Sequence, residues 1–140
     1  MAVTLTTPLR NRLADQLQAA FGGGVLEIRS GARPAAAGDA PAGTLLASIN
    51  LPAQAFAAGA GGQVAKAGVW QDLAADAAGV ATWARFRKAG DAGTTNAVDE
   101  RLDVSVGMAG SGADLILDNT NVAPGQAVTI NTFTFTMPAQ

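Results

Sequence analysis

The groups in this 140-residue chain with chemistry to offer are eleven carboxylates, two lysines, seven arginines and a set of hydroxyls. Histidine, cysteine and tyrosine are absent. That removes the usual general base near neutral pH, the softest nucleophile, the two best zinc ligands and the phenolic acid. Paired carboxylates are the chemistry of glycoside hydrolysis. Asp99, Glu100 and Asp103 cluster with Arg101, but strand alternation splits them between faces, so exposed sheet charges are expected. Asp114, Asp118, Asn119 and Asn121 are hard oxygen ligands suited to a structural calcium. Their spacing is not that of an EF-hand, and bonds from such side chains to turn backbone explain them better. The loop Gly107-Met-Ala-Gly-Ser-Gly112 invites a phosphate. It lacks the Gly-Lys-Ser/Thr ending, and no helix follows it. Ser111 has no histidine to activate it. The expectation is a chain with no catalytic residue, metal or cofactor.

The remaining candidates are contact residues. Arg85, Arg87 and Lys88 form the densest basic cluster, and Arg10 with Arg12 forms a second. A solvated sheet face is the favoured reading, with docking onto an acidic protein surface as its rival. Net charge is −2, so no bulk attraction to nucleic acid is expected. Trp70 and Trp83 would suit sugar stacking. Trp83 falls on the Arg85/Arg87 side of its strand, so burial under a cover, such as the N-terminal helix, is preferred. The uncharged run Thr132-Phe-Thr-Phe-Thr136 needs a central position or a pairing partner at its edge. That makes Phe133 and Phe135 contact candidates.

The elements that must carry these residues alternate quickly. Thr7-Pro8 reads as a helix start, with Leu9, Leu13, Leu17 and Phe21 as its buried stripe and Gly22-Gly23-Gly24 as its stop. Beyond it the period is two. Strands are predicted at 25–29, 44–51, 63–70, 80–88, 97–106, 114–118 and 126–137, with an eighth at 2–5. The last has a phase break, since Val128 and Ile130 are even while Phe133, Phe135 and Met137 are odd. A bulge or a change of layer near Asn131-Thr132 resolves it. Seventeen glycines and six prolines fit many short elements. The length suits one domain, residues 1–140, with a helix at about 8–21 and β-structure at about 25–137. The expected fold is all-β: a jelly-roll-like antiparallel β-sandwich of about 7–8 strands with one amphipathic helix near the N-terminus. Residues 1–8 lack the pattern of a secretion signal. No apolar run approaches the roughly 18 residues that span a bilayer. Neither membrane nor nucleic acid is an expected partner, and synthesis in a cytoplasm is expected.

Four stretches resemble small structural proteins of tailed phages. They are Glu27-Ile-Arg-Ser-Gly-Ala-Arg-Pro34 running on through Gly38-Asp-Ala-Pro-Ala-Gly-Thr-Leu-Leu-Ala-Ser48; Ala81-Thr-Trp-Ala-Arg-Phe-Arg87; Val106-Gly-Met-Ala-Gly-Ser-Gly-Ala-Asp-Leu-Ile-Leu117; and Gly125-Gln-Ala-Val-Thr-Ile130 with Phe133-Thr-Phe-Thr-Met-Pro138. The chain resembles phage head cement, or decoration, proteins with a jelly-roll fold. The resemblance implies a non-enzymatic virion protein on the outer surface of an icosahedral head, made in the host cytoplasm. It would clamp major capsid protein subunits together, with a homodimer as the favoured oligomer. The rival expectation is a carbohydrate-binding or adhesin module of a tail fibre.

Overall fold

The computed structural model describes residues 3–139. Helix α1 spans Thr7–Phe21, with Pro8 in its first turn, where a missing N–H costs nothing. Gly23 then turns the chain with a positive φ, and its N–H bonds Pro52 O. Eleven strands follow among the described residues: β1 Val25–Arg29, β2 Leu45–Asn50, β3 Gln63–Ala65, β4 Trp70–Asp72, β5 Gly79–Val80, β6 Trp83–Arg87, β7 Arg101–Gly107, β8 Leu115–Ile116, β9 Asn121–Val122, β10 Val128–Ile130 and β11 Thr134–Thr136.

The architecture is β-rich, with one curled five-stranded sheet in the order β2-β1-β6-β7-β8 and three two-stranded ribbons, β10-β4, β11-β3 and β5-β9. All pairs are antiparallel except β7-β8, where Val106 and Gly107 pair in parallel with Leu115 and Ile116. More strands are seen than were expected because three predicted runs break and β9 forms where no strand was expected. The run 63–70 parts at Lys66–Val69, and 80–88 parts at Ala81-Thr82. The C-terminal run parts at Asn131–Phe133. That last break is the expected phase change: β10 pairs with β4, β11 pairs with β3, and the chain moves between ribbons. The strand expected at 2–5 does not form over residues 3–5, which have no regular structure. Ala97–Glu100, expected in a strand, precede β7 as loop.

The core lies on one face of the sheet. Leu26, Ile28, Ile49, Phe86 and Val104 contribute from the strands, and Phe21 comes from α1. An aromatic cluster closes it. Phe86 stands 5.2 Å from Phe133, 5.7 Å from Trp70 and 5.7 Å from Phe21, while Phe56 stands edge-on to Trp70 at 5.3 Å. Burying each such ring contributes roughly 1.5–3 kcal/mol. Trp70 is a core residue whose indole N–H is taken by Ala67 O.

The helix is turned differently from expectation. Its inward side carries Asn11, Ala14, Gln18 and Phe21, with Leu17 part-buried against the core, while Leu9 and Leu13 of the expected stripe face outward. Gln18 Oε1 accepts from the N–H groups of Ala55 and Phe56 at 2.9 Å each, and Gln18 Nε2 donates to Ala53 O. Asp15 accepts from Gly59 N and Asn11 from Gly62 N. The strandless segment 53–62 has few backbone partners of its own, and buried donors must be satisfied. The helix's polar side does this. Leu9 and Leu13 are left 44 % and 38 % exposed.

Candidate functional site

The predicted basic residues sit on the second face of the sheet. Period-two alternation puts Glu27 and Arg29 of β1, Trp83, Arg85 and Arg87 of β6, and Arg101 and Asp103 of β7 on that side. The register sets Glu27, Arg85 and Asp103 in one row, and Val25, Arg87 and Arg101 in the next. This face is not solvated. The segment 30–43 folds over it, its neck closed by Ser30 N–H to Thr44 O at 3.1 Å and Thr44 N–H to Ser30 Oγ at 3.2 Å. Trp83 Nε1 donates to Ser30 O and Thr82 Oγ1 to Gly31 O. The cover over Trp83 is therefore this loop and not α1.

Beneath the loop Arg85 is fully buried. Its guanidinium grips Asp103 with two bonds, 2.7 and 2.9 Å, donates to Asp39 O at 2.8 Å, and stacks 5.3 Å from the Trp83 ring. Arg101 repeats the pattern on Asp91, at 2.6 and 2.7 Å, and reaches the carbonyls of Ala37 and Thr94. Arg87 donates to Asp91 O and lies 3.4 Å from Glu27, which Arg29 approaches at 3.5 Å. Four guanidinium groups share three carboxylates, leaving one positive charge in excess. The carbonyls of Ala37, Asp39, Asp91 and Thr94 take up further donors, whereas Arg29 Nε, Arg87 Nε and Glu27 Oε1 are buried without a hydrogen-bond partner among the described residues. Charge buried this way must be paired and bonded or it destabilises the fold. The bond from Arg101 holds the Asp91 carboxyl well below the ordinary carboxylate range, against the opposing effect of burial and with help from Gly93 N–H. Asp91 in turn raises Arg101 above its ordinary value.

The other predicted residues scatter. Arg10 donates to Met137 O at 2.9 Å and lies half-buried, whereas Arg12 is exposed. Lys88 is exposed and pairs with Glu100 at 3.4 Å. Phe133 is buried in the aromatic cluster, and Phe135 is half-buried beside α1. Thus Arg85, Trp83 and Phe133 are occupied within the chain. Arg12 and Lys88 are exposed and Phe135 is half-buried. Asp114 accepts from Ser105 N and Oγ, Asp118 from Asn131 Nδ2, and Asn119 from Asn121 N, so these side chains brace turns. Among the described residues no group of three or more histidine, cysteine or acidic residues is placed to hold a metal, and no helix is long and apolar enough to cross a membrane.

No family model, curated protein or solved structure matches this chain. Its surface must therefore be read from its own geometry.

One region stands out that the sequence reading missed. Between α1, β7 and β11 runs a groove in two connected parts of about 310 and 350 Å³, sharing Leu102 and Phe135. Leu17, Ala20 and Phe21 wall the first part; Val104, Phe133, Thr134 and Thr136 wall the second. Leu9 and Leu13 continue the same outward side of the helix toward its N-terminus. The signal for this was present in α1. Asn11, Asp15 and Gln18 share one helical side as consistently as the leucines share theirs, and a glycine-rich partner segment with free amides follows downstream.

Proposed function

We propose that this is a non-enzymatic virion protein, a cement or decoration protein that binds the outer surface of an icosahedral phage head. It would stabilise contacts between major capsid protein subunits. The observation that carries this reading is the pairing of a locked interior with unfilled contact surface. Buried ion pairs fasten the longest loop down, while a leucine side of α1, an open groove and exposed apolar residues such as Leu73 and Val98 face outward. A rigid body with open apolar surface loses little freedom on binding, and many modest contacts repeated over one shell act multivalently. The turn-and-strand motifs that resemble head cement proteins supply the partner's identity. We further propose that the five-stranded sheet and the ribbons together form a jelly-roll-like antiparallel sandwich. The tail-fibre carbohydrate module is disfavoured, because Trp70 and Trp83 are both buried and offer no stacking platform.

The test mixes purified protein with heads that lack it, sediments them, and measures their rupture temperature. Co-sedimentation with a higher rupture temperature is expected. Free protein left in the supernatant and unchanged rupture would refute the reading.

A further inference from the structure

The groove has an unusual construction. In the β6-β7 ladder Val106 N–H bonds Thr82 O, so by period two the amides of Leu102 and Val104 also face β6. The amides of Arg101, Asp103 and Ser105 point the other way. Asp114 takes that of Ser105, and β8 pairs only with Val106 and Gly107. Among the described residues, the edge at Arg101–Asp103 is left without a strand. Across the groove, Met137 N–H bonds Gly62 O and Phe133 O accepts from Lys66 N–H, so the odd residues of β11 face β3. Thr134 and Thr136 turn their backbone groups toward the groove. Among the described residues both walls are therefore unpaired strand edges, above a floor of Leu102, Val104, Phe133 and Phe135. The chemistry that fills such a slot is an extended backbone with apolar side chains at alternate positions.

The same chain holds a segment of that kind without a sheet. Val3-Thr-Leu-Thr6 alternates apolar and β-branched residues, yet it forms no strand. Its one ladder-like bond is Leu5 N–H to Ala139 O, and Val3 is 69 % exposed. The leucine side of α1 connects the two features. Leu9, Leu13 and Leu17 recur every four residues, so two copies packed antiparallel about a two-fold axis at Leu13 set Leu13 on Leu13 and Leu9 on Leu17. With sequence positions pairing as i and 26 − i, Thr6 of one copy reaches the level of Ala20 of the other. Ala20 lines the mouth of the groove. We propose that the chain forms a two-fold dimer in which α1 packs antiparallel on its copy and each Val3–Thr6 arm enters the other copy's α1–β7–β11 groove as an added strand. This stands independently of the capsid reading. It accounts for the exposed Leu9 and Leu13, the arm that forms no strand and the doubly open slot with one symmetric contact, which is the self-complementary arrangement a two-fold interface requires.

The chain contains no cysteine, so single cysteines report on this geometry cleanly. Light scattering over a concentration series is expected to give twice the mass of one chain. Leu13→Cys should cross-link to itself on mild oxidation, whereas Ser111→Cys, on a distant loop, should not. Leu13→Glu should yield a monomer with the wild-type circular dichroism spectrum, since Leu13 is an exposed helix position outside the core cluster. Val3→Asp should weaken the dimer at least about tenfold. Amide exchange at Asp103, Thr134 and Thr136 should be slower in the wild type than in Leu13→Glu. A wild-type monomer at about 0.5 mM, or a dimer in which Leu13→Cys does not cross-link, overturns the proposal. A cross-linking dimer with those three amides unprotected overturns the arm exchange.

Discussion

Replacing Asp91 by asparagine tests the covered arginine layer most directly. The side chains of Arg101 and Asp91 are 2 % and 1 % exposed, and two short bonds join them. Asp91→Asn leaves the Arg101 guanidinium buried with only the Ala37 and Thr94 carbonyls and one neutral amide oxygen. Removing one partner of such a pair destabilises by about 3–5 kcal/mol. With a urea slope of about 2 kcal/mol/M, the unfolding midpoint should fall by about 1.5–2.5 M at pH 7. The pH dependence carries its own sign. Because Arg101 depresses the Asp91 carboxyl in the folded state, its stabilisation is complete above the unfolded value near 3.9 and is lost as pH falls below it. The gap between wild type and variant should therefore narrow by about 1.3 kcal/mol between pH 7 and pH 3. A gap under about 1 kcal/mol at pH 7, or one that does not narrow in acid, would refute the pairing as an energetic feature.

Three further outcomes are expected. Arg85→Met should cost about 3–5 kcal/mol by stranding Asp103, while Arg85→Met with Asp103→Leu should recover most of that loss, measured as a double-mutant cycle in urea; additive losses would contradict it. Gln18→Leu keeps the helix but removes the acceptor for the Ala55 and Phe56 amides. It should destabilise by about 1–3 kcal/mol and speed amide exchange at those two positions ahead of the rest of the core. Gly43→Ala should cost more than about 2 kcal/mol, because Gly43 has a positive φ and its Cβ would strike the Ser30 carbonyl at the neck of the covering loop; an unchanged melting temperature would show that the neck yields.

Local pattern carried part of this fold into view and stopped where distant backbone mattered. The helix, β1 and β2 were legible because each has its own periodicity and glycine or proline punctuation. The C-terminal phase break was legible because alternation has no slack: a run that switches from even to odd must bend or change partners. The direction of α1 was legible only at Leu17 and Phe21. Four apolar side chains at spacing four outweigh three polar ones in any pattern count, yet the polar ones meet backbone amides of segment 53–62 that only tertiary structure brings near. Arg85 shows the same limit. Alternation correctly set it opposite Phe86, but nothing local says that the opposite face is roofed, because carbonyls from Ala37, Asp39 and Thr94 carry no signature in residue type. The groove was invisible for a related reason, being defined by strand edges left empty.

The hand-over of the C-terminal run between ribbons has a consequence for how the molecule is made. β10 completes the ribbon begun by β4, β11 completes the one begun by β3, and Phe133 between them stands against Phe56, Trp70 and Phe86. A chain emerging from the ribosome N-terminus first holds the helix and the sheet centre early, but the ring cluster has a vacancy until Phe133 arrives. Pairings of such long sequence separation close slowly, and the half-built ribbons leave strand edges exposed meanwhile. The core thus closes only once β10, Phe133 and β11 have arrived, and the interval before closure is when the chain is most open to mispairing with its neighbours.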